Sequence, residues 1–150
     1  MLLNATCIDG RLEVDDYELN SNDNNYTYNS LKYFSDKYSD WTLYLIMGSD
    51  NFRTFSTWYR YQEILKLANL IVLTRYTPKS CDKIGLLERE SEKIKDKYIR
   101  EFEANILIYN KKTLEISSTV VRELIKNNAS IHEFLDVENI RFIKLHGLYK

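Results

Sequence analysis

The stretch Leu43–Leu73, LYLIMGSDNFRTFSTWYRYQEILKLANLIVL, decides the fold. It opens on an apolar run, breaks at Gly48-Ser49-Asp50-Asn51, continues into a helically patterned segment and closes on a second apolar run, Leu70-Ile71-Val72-Leu73. Strand, polar turn, helix and strand in that order make a βαβ unit. Open α/β sheets bind ligands outside the carboxyl ends of their strands, so the turn after Met47 is the first candidate site. Residues 43–47 show little polar alternation and are expected to form a strand buried on both faces. Ser56 or Thr57 is expected to cap the next helix, with Trp58, Tyr61, Ile64, Leu65 and Ala68 on one face, and residues 70–74 to form the next strand.

Upstream, residues 1–7 read as the tail of a helix. Leu12, Val14, Tyr17 and Leu19 suggest a short strand over 11–19, and residues 20–25 a polar loop. A helix capped by Thr27 follows, with Leu31, Phe34 and Tyr38 at helical spacing. Downstream, Pro78 falls in a loop, and the charge-rich 82–104 offers Ile84, Leu87, Ile94 and Tyr98 as helix contacts. Residues 106–109 read as a third short strand. Ser117 or Ser118 caps a helix running to about Asn127, and a last helix over 137–145 stops at Gly147. Alternating strands and helices predict one α/β domain over 1–150 with a mostly parallel sheet.

The bulk numbers fit that reading. A chain of 150 residues, 44% hydrophobic and 29% charged, can build one real core. Its net charge of −1 gives no general pull toward a nucleic acid polymer or a membrane. No apolar run approaches a membrane span, and no signal-peptide pattern opens the chain. Cys7, Cys81, His132 and His146 make no metal-ligand spacing, and the cysteines are expected as reduced thiols of a cytoplasmic protein.

Several motifs admit a ligand and a plain structural role. Gly48 at a strand end allows a tight turn or a close ligand approach, and Asp50 can accept from a sugar hydroxyl or a base amino group, or simply cap a helix. Trp58 can stack on a ligand ring or pack in the core. Ile116-Ser117-Ser118-Thr119 opening a helix, with Arg122 one turn in, can hold phosphate oxygens, or be a capped helix with a solvated arginine. Arg75 can reach a carboxylate or phosphate from the carboxyl edge, or stand in solvent. Tyr26-Thr27 can offer backbone and hydroxyl contacts or be a plain helix start.

Taken together, Tyr26-Thr27, Ile46-Met47-Gly48-Ser49-Asp50-Asn51, Thr57-Trp58, Leu70–Leu73 with Arg75, Ile116–Thr119 with Arg122, and His146-Gly147-Leu148-Tyr149 resemble the bacterial nicotinate mononucleotide adenylyltransferase family in order and spacing. The resemblance implies a Rossmann-like nucleotidyltransferase fold and the joining of ATP to nicotinate mononucleotide, giving deamido-NAD and pyrophosphate in NAD biosynthesis. It implies ATP binding by Gly48, Asp50, Ser117, Ser118, Thr119 and Arg122, and substrate binding by Tyr26, Thr27, Trp58 and Arg75. Trp58 would stack on the pyridine ring, with Tyr26 and Thr27 near the nicotinate carboxylate. Mg²⁺ would accompany ATP. The family's opening strand and its Gly-x-Phe-Asp-Pro-x-His-x-Gly-His motif have no counterpart here, and Asp136-Val137 stands where a proline is usual. The expectation is thus a truncated fold with the first βαβ portion missing, an exposed edge at the 43–47 strand, no catalytic residue identified, and little or no activity of this chain alone. A homo-oligomer or a complementing N-terminal fragment is the further partner it implies. A non-catalytic remnant that binds a nucleotide or a protein, or one half of a split enzyme, is the alternative.

Overall fold

The computed structural model describes residues 1–22, 24–74, 84–110 and 117–149. They form two compact units, a sheet unit from Tyr17–Glu115 and a helical unit from Met1–Asp16 with Ile116–Lys150.

In chain order, α1 (Leu2–Thr6) belongs to the helical unit, and the sheet unit begins with α2 (Tyr17–Asn20) and α3 (Thr27–Lys37). Strand β1 (Tyr44–Gly48) leads into α4 (Ser49–Arg53), a 3-10 turn (Phe55–Thr57) and α5 (Tyr61–Leu67). Strand β2 (Asn69–Leu73), helix α6 (Ile84–Phe102) and strand β3 (Ile106–Tyr109) complete it. The three strands are parallel in the order β1-β2-β3, with Leu45 opposite Leu70, Met47 opposite Val72 and Val72 opposite Ile108. The Leu43–Leu73 stretch is therefore a βαβ unit, and the 106–109 strand extends its sheet.

One sheet face carries the core. Met47, Leu70, Val72 and Ile106 bury themselves with Leu31 of α3, Phe52 of α4, Ile64 and Leu65 of α5 and Tyr98 of α6. Phe52, Phe55, Ile64 and Val72 have no exposed surface. Each side chain so buried stabilises the fold by about 1.5–3 kcal/mol before entropy is counted.

The opposite face departs from expectation. Tyr44 and Ile46 of β1 are 58% and 61% exposed, and Leu107 of β3 57%. The 43–47 strand is thus buried on one face only. Its apolar run suits a two-sided parallel strand, but the helices of this unit cover a single side, and among the described residues β1 has a neighbour only in β2.

Residues 11–19 form no strand. A strand needs a hydrogen-bonding neighbour, and among the described residues none lies alongside. Tyr17 instead opens the one-turn α2 and stacks on Tyr33 at 4.0 Å, while Asn25 donates to the Glu18 carbonyl and Ser30 bonds the Glu18 carboxylate. The helix expected from Ser56 or Thr57 is broken as well. Both residues lie in the 3-10 turn, Trp58 follows it with extended backbone, and α5 begins only after Arg60, whose φ of 53° is left-handed. At α3 the cap is Tyr26 rather than Thr27, and no side chain bonds the first amides.

The helical unit follows expectation closely. Helix α7 (Ser118–Lys126) is capped by Ser117, whose Oγ accepts from the Val120 amide at 3.2 Å. Helix α8 (Val137–Leu145) is capped by Asp136, which accepts from the Asn139 amide at 2.8 Å and from its side chain at 2.6 Å. Val137 is the first helical residue, where proline is best tolerated, so its place there leaves the helix start intact. Beyond His146, the Gly147 amide donates to Lys144 O and the Leu148 amide to Ile143 O. That is a Schellman turn, and its left-handed residue is Gly147 at φ 58°.

Candidate functional site

At the carboxyl end of β1 the chain passes straight into α4. Gly48 caps that helix with φ −76° and ψ 154°, a backbone any residue can adopt, so no tight turn requires the glycine here. Asp50 lies exposed in the first turn of α4, where its charge suits the helix dipole. The structure places Asp50 beside a helix N-terminus, and among the described residues no side chain bonds it.

The site assembles between the start of α3 and the segment after the 3-10 turn. Tyr26 caps α3 with extended backbone, and its carbonyl accepts from the Asn29 and Ser30 amides. The amides of Thr27 and Tyr28, first in the helix, have no intrahelical acceptor, and they form its electropositive end. Facing them is Trp58, half-buried, its ring tilted at 57° against the fully buried Phe55 at 5.3 Å. The extended backbone at Trp58 turns its side chain out of the helical series, which is why the break before α5 matters. A cavity of about 280 Å³ lies between these segments, walled by Tyr26, Thr27, Trp58 and Tyr59 and floored by Ile64. Whole-ligand pockets usually span about 300–1,000 Å³, so this one suits a single aromatic ring and its substituent, one end of a larger molecule.

Three of the substrate-binding residues expected from the sequence, Tyr26, Thr27 and Trp58, thus meet at one cavity. Arg75 lies outside the described residues. Gly48 and Asp50 belong to the same unit but do not line this cavity. Ser117, Ser118, Thr119 and Arg122 lie on the helical unit. There Ser117 is engaged as the cap of α7, Ser118 and Thr119 are exposed, and the Arg122 guanidinium stands 5.5 Å from the ring of Tyr149. The larger cavities, of about 440 and 530 Å³, lie in the helical unit around His132, Ile140 and Lys144 and include none of the expected site residues.

Sequence reasoning missed Tyr59 and Arg60. Tyr59 stacks on Tyr26 at 4.5 Å and meets Tyr28 edge-on at 6.0 Å. Arg60 donates to the Tyr28 hydroxyl at 3.1 Å, and its guanidinium stands 5.0 Å from the Tyr28 ring and 5.4 Å from the Tyr59 ring. The bond to Tyr28 and the neighbouring phenols hold its pKa above the usual guanidinium value. An aromatic beside Trp58 was the one visible signal; the left-handed turn that aims Arg60 backward leaves none. Among the described residues no group of three or more His, Cys, Asp or Glu side chains converges as a metal site.

The model of the cytidylyltransferase-like family matches residues 1–124. The chain belongs to that family. Among curated relatives, the probable nicotinate-nucleotide adenylyltransferase of Caldicellulosiruptor bescii is 33% identical over 138 residues, 92% of this chain and 65% of its own length. That of Aquifex aeolicus is 39% identical over 111 residues, 73% of this chain and 61% of its own. This cytidylyltransferase-like chain therefore spans somewhat less than two thirds of the relatives it matches. The solved Plasmodium falciparum nicotinic acid mononucleotide adenylyltransferase complexed with APC superposes with a TM-score of 0.57 over 85% of this chain and 60% of its own, at 18% identity. At that identity the match shows the fold, a Rossmann-like nucleotidyltransferase α/β arrangement, and no more. No helix among the described residues is long and apolar enough to cross a membrane.

Proposed function

We propose that this chain carries the acceptor side of nicotinate-nucleotide adenylyl transfer. The cavity between Tyr26-Thr27 and Trp58 takes the nicotinate end of nicotinate mononucleotide. The observation that carries this reading is the convergence of one half-buried indole and one helix N-terminus on a space sized for a single ring. The indole offers an aromatic face to the pyridine, and the free amides at the start of α3 favour its carboxylate. The relatives' names support the same chemistry.

In the whole reaction an oxygen of the mononucleotide's phosphate forms a bond to the α-phosphorus of ATP, the α–β bridge bond breaks, and pyrophosphate leaves. No covalent enzyme intermediate is involved, so the protein's part is positioning and charge stabilisation. Gly48 and Asp50 are assigned to the adenosine side, and Ser117, Ser118, Thr119 and Arg122 to the ATP phosphates. Arg75 is assigned to a substrate anion. Mg²⁺ is assigned as the companion of ATP. The reading puts the reaction in NAD biosynthesis in the cytoplasm. A homo-oligomer or a complementing N-terminal fragment is the further partner assigned to this reading.

Because the chain holds no Gly-x-Phe-Asp-Pro-x-His-x-Gly-His sequence, its own turnover is expected to be small. Loss of positioned phosphate contacts of this kind costs about 10²–10³ per donor. The test mixes the purified chain with MgATP and nicotinate mononucleotide and follows pyrophosphate release, with ligand-observed NMR for binding. Mononucleotide binding with slow or absent release is the expected result. Release at an ordinary enzymatic rate would refute the weak-activity claim, and absence of binding would favour the non-catalytic alternative.

A further inference from the structure

We infer that Arg60 determines specificity at the Trp58 cavity, favouring a pyridine carboxylate over the corresponding carboxamide. This rests on the nicotinate reading of that cavity and adds a residue and a charge to it.

Arg60 is costly where it stands. Its φ of 53° is a left-handed backbone that glycine or asparagine adopts more readily. It is also the residue capping α5, and a cation at a helix N-terminus opposes the helix dipole. Its side chain makes no cap to α5 that would offset either cost. The guanidinium turns away toward α3 instead, bonding the Tyr28 hydroxyl and standing over the rings of Tyr28 and Tyr59.

Those contacts do two things. They fix Tyr59, a wall of the cavity, against Tyr26, the cap of α3. They also hold a positive charge 5.4 Å from the ring of Tyr59, one of the walls. Among the described residues no carboxylate lies within ion-pairing distance of Arg60, and no acidic side chain lines the cavity. Glu63 is the acid whose field reaches it. The cavity is thus flanked by two positive sources, the start of α3 and Arg60; among the described residues the Glu18 carboxylate touches the first turn of α3 at Ser30, and none touches Arg60. An anionic ring substituent gains from both, whereas a neutral amide gains almost nothing from the charge.

Calorimetric titration of the full chain with nicotinate mononucleotide and with nicotinamide mononucleotide separates these effects. Arg60→Gly keeps the left-handed turn and removes the charge. It is expected to weaken acid binding about fivefold, the size of one screened charge at a partly exposed site, and amide binding by less than about twofold. Arg60→Lys, which retains the charge, should recover most of the preference. Tyr28→Phe, which releases the guanidinium, should fall between. Added salt should erode the acid preference of the unaltered chain more than that of Arg60→Gly, whose remaining preference rests on the start of α3 alone. Equal weakening of both ligands by Arg60→Gly would mean a purely structural role and overturn the inference, as would an unchanged ratio. If the unaltered chain binds neither mononucleotide, the nicotinate reading itself fails, and this inference with it.

Discussion

A few side chains at the starts of helices carry most of the proposed chemistry. Trp58 would be an ordinary core tryptophan if α5 began where its apolar pattern begins. The left-handed Arg60 delays that start, so the indole projects beside the first amides of α3. Tyr26, Thr27 and Trp58 were legible as candidates because aromatic and hydroxyl residues beside helix starts are recognisable in sequence. Tyr59 and Arg60 were not, since a single left-handed residue has no periodic signature. Asp136 shows how directly a cap can be read and tested. Its bond from the Asn139 amide, chiefly, holds its carboxyl below the usual range. A carboxylate whose folded pKa is lowered stabilises the fold above its unfolded value of about 3.9. That contribution fades as pH falls through the lower folded value. Acid titration of α8 by circular dichroism should show this loss below about pH 4, and Asp136→Asn, which keeps an acceptor without the charge, should flatten the pH dependence.

Among the elements, the three parallel strands were legible in full, because short β-rich apolar runs bounded by polar turns leave little choice. Their exposure was not. The period of a strand predicts which residues share a face and says nothing about what covers it. Parallel sheets are ordinarily covered on both sides, yet Tyr44, Ile46 and Leu107 stand open on one face of this sheet. The strand expected over 11–19 failed for a related reason: alternation proposes a strand, but only a neighbour makes one. The open edge of β1 beside exposed apolar side chains is a template for self-association. Ile46→Lys, which places a charge on the open face and leaves the core side untouched, should reduce association measured by light scattering at unchanged thermal midpoint. Unchanged association would show that contacts between copies form elsewhere.

For the molecule as a whole, family and fold rest on different observations that agree. The family match covers residues 1–124, the topology is that of a Rossmann-like nucleotidyltransferase, and the chain spans about 65% of the length of its Caldicellulosiruptor relative. The nicotinate-sized cavity lies wholly within the sheet unit, so acceptor binding can be measured apart from catalysis. The residues assigned to ATP phosphates sit on the helical unit, and their role is tested by turnover.

The most direct measurement is fluorescence of Trp58 in a Trp41→Phe chain, where the exposed second indole no longer contributes, during titration with nicotinate mononucleotide. Saturable quenching, lost or weakened about tenfold with Tyr26→Ala, is the result expected if the pyridine stacks on the indole in the cavity. An emission that does not respond, or quenching that Tyr26→Ala leaves intact, would contradict the assignment of this cavity.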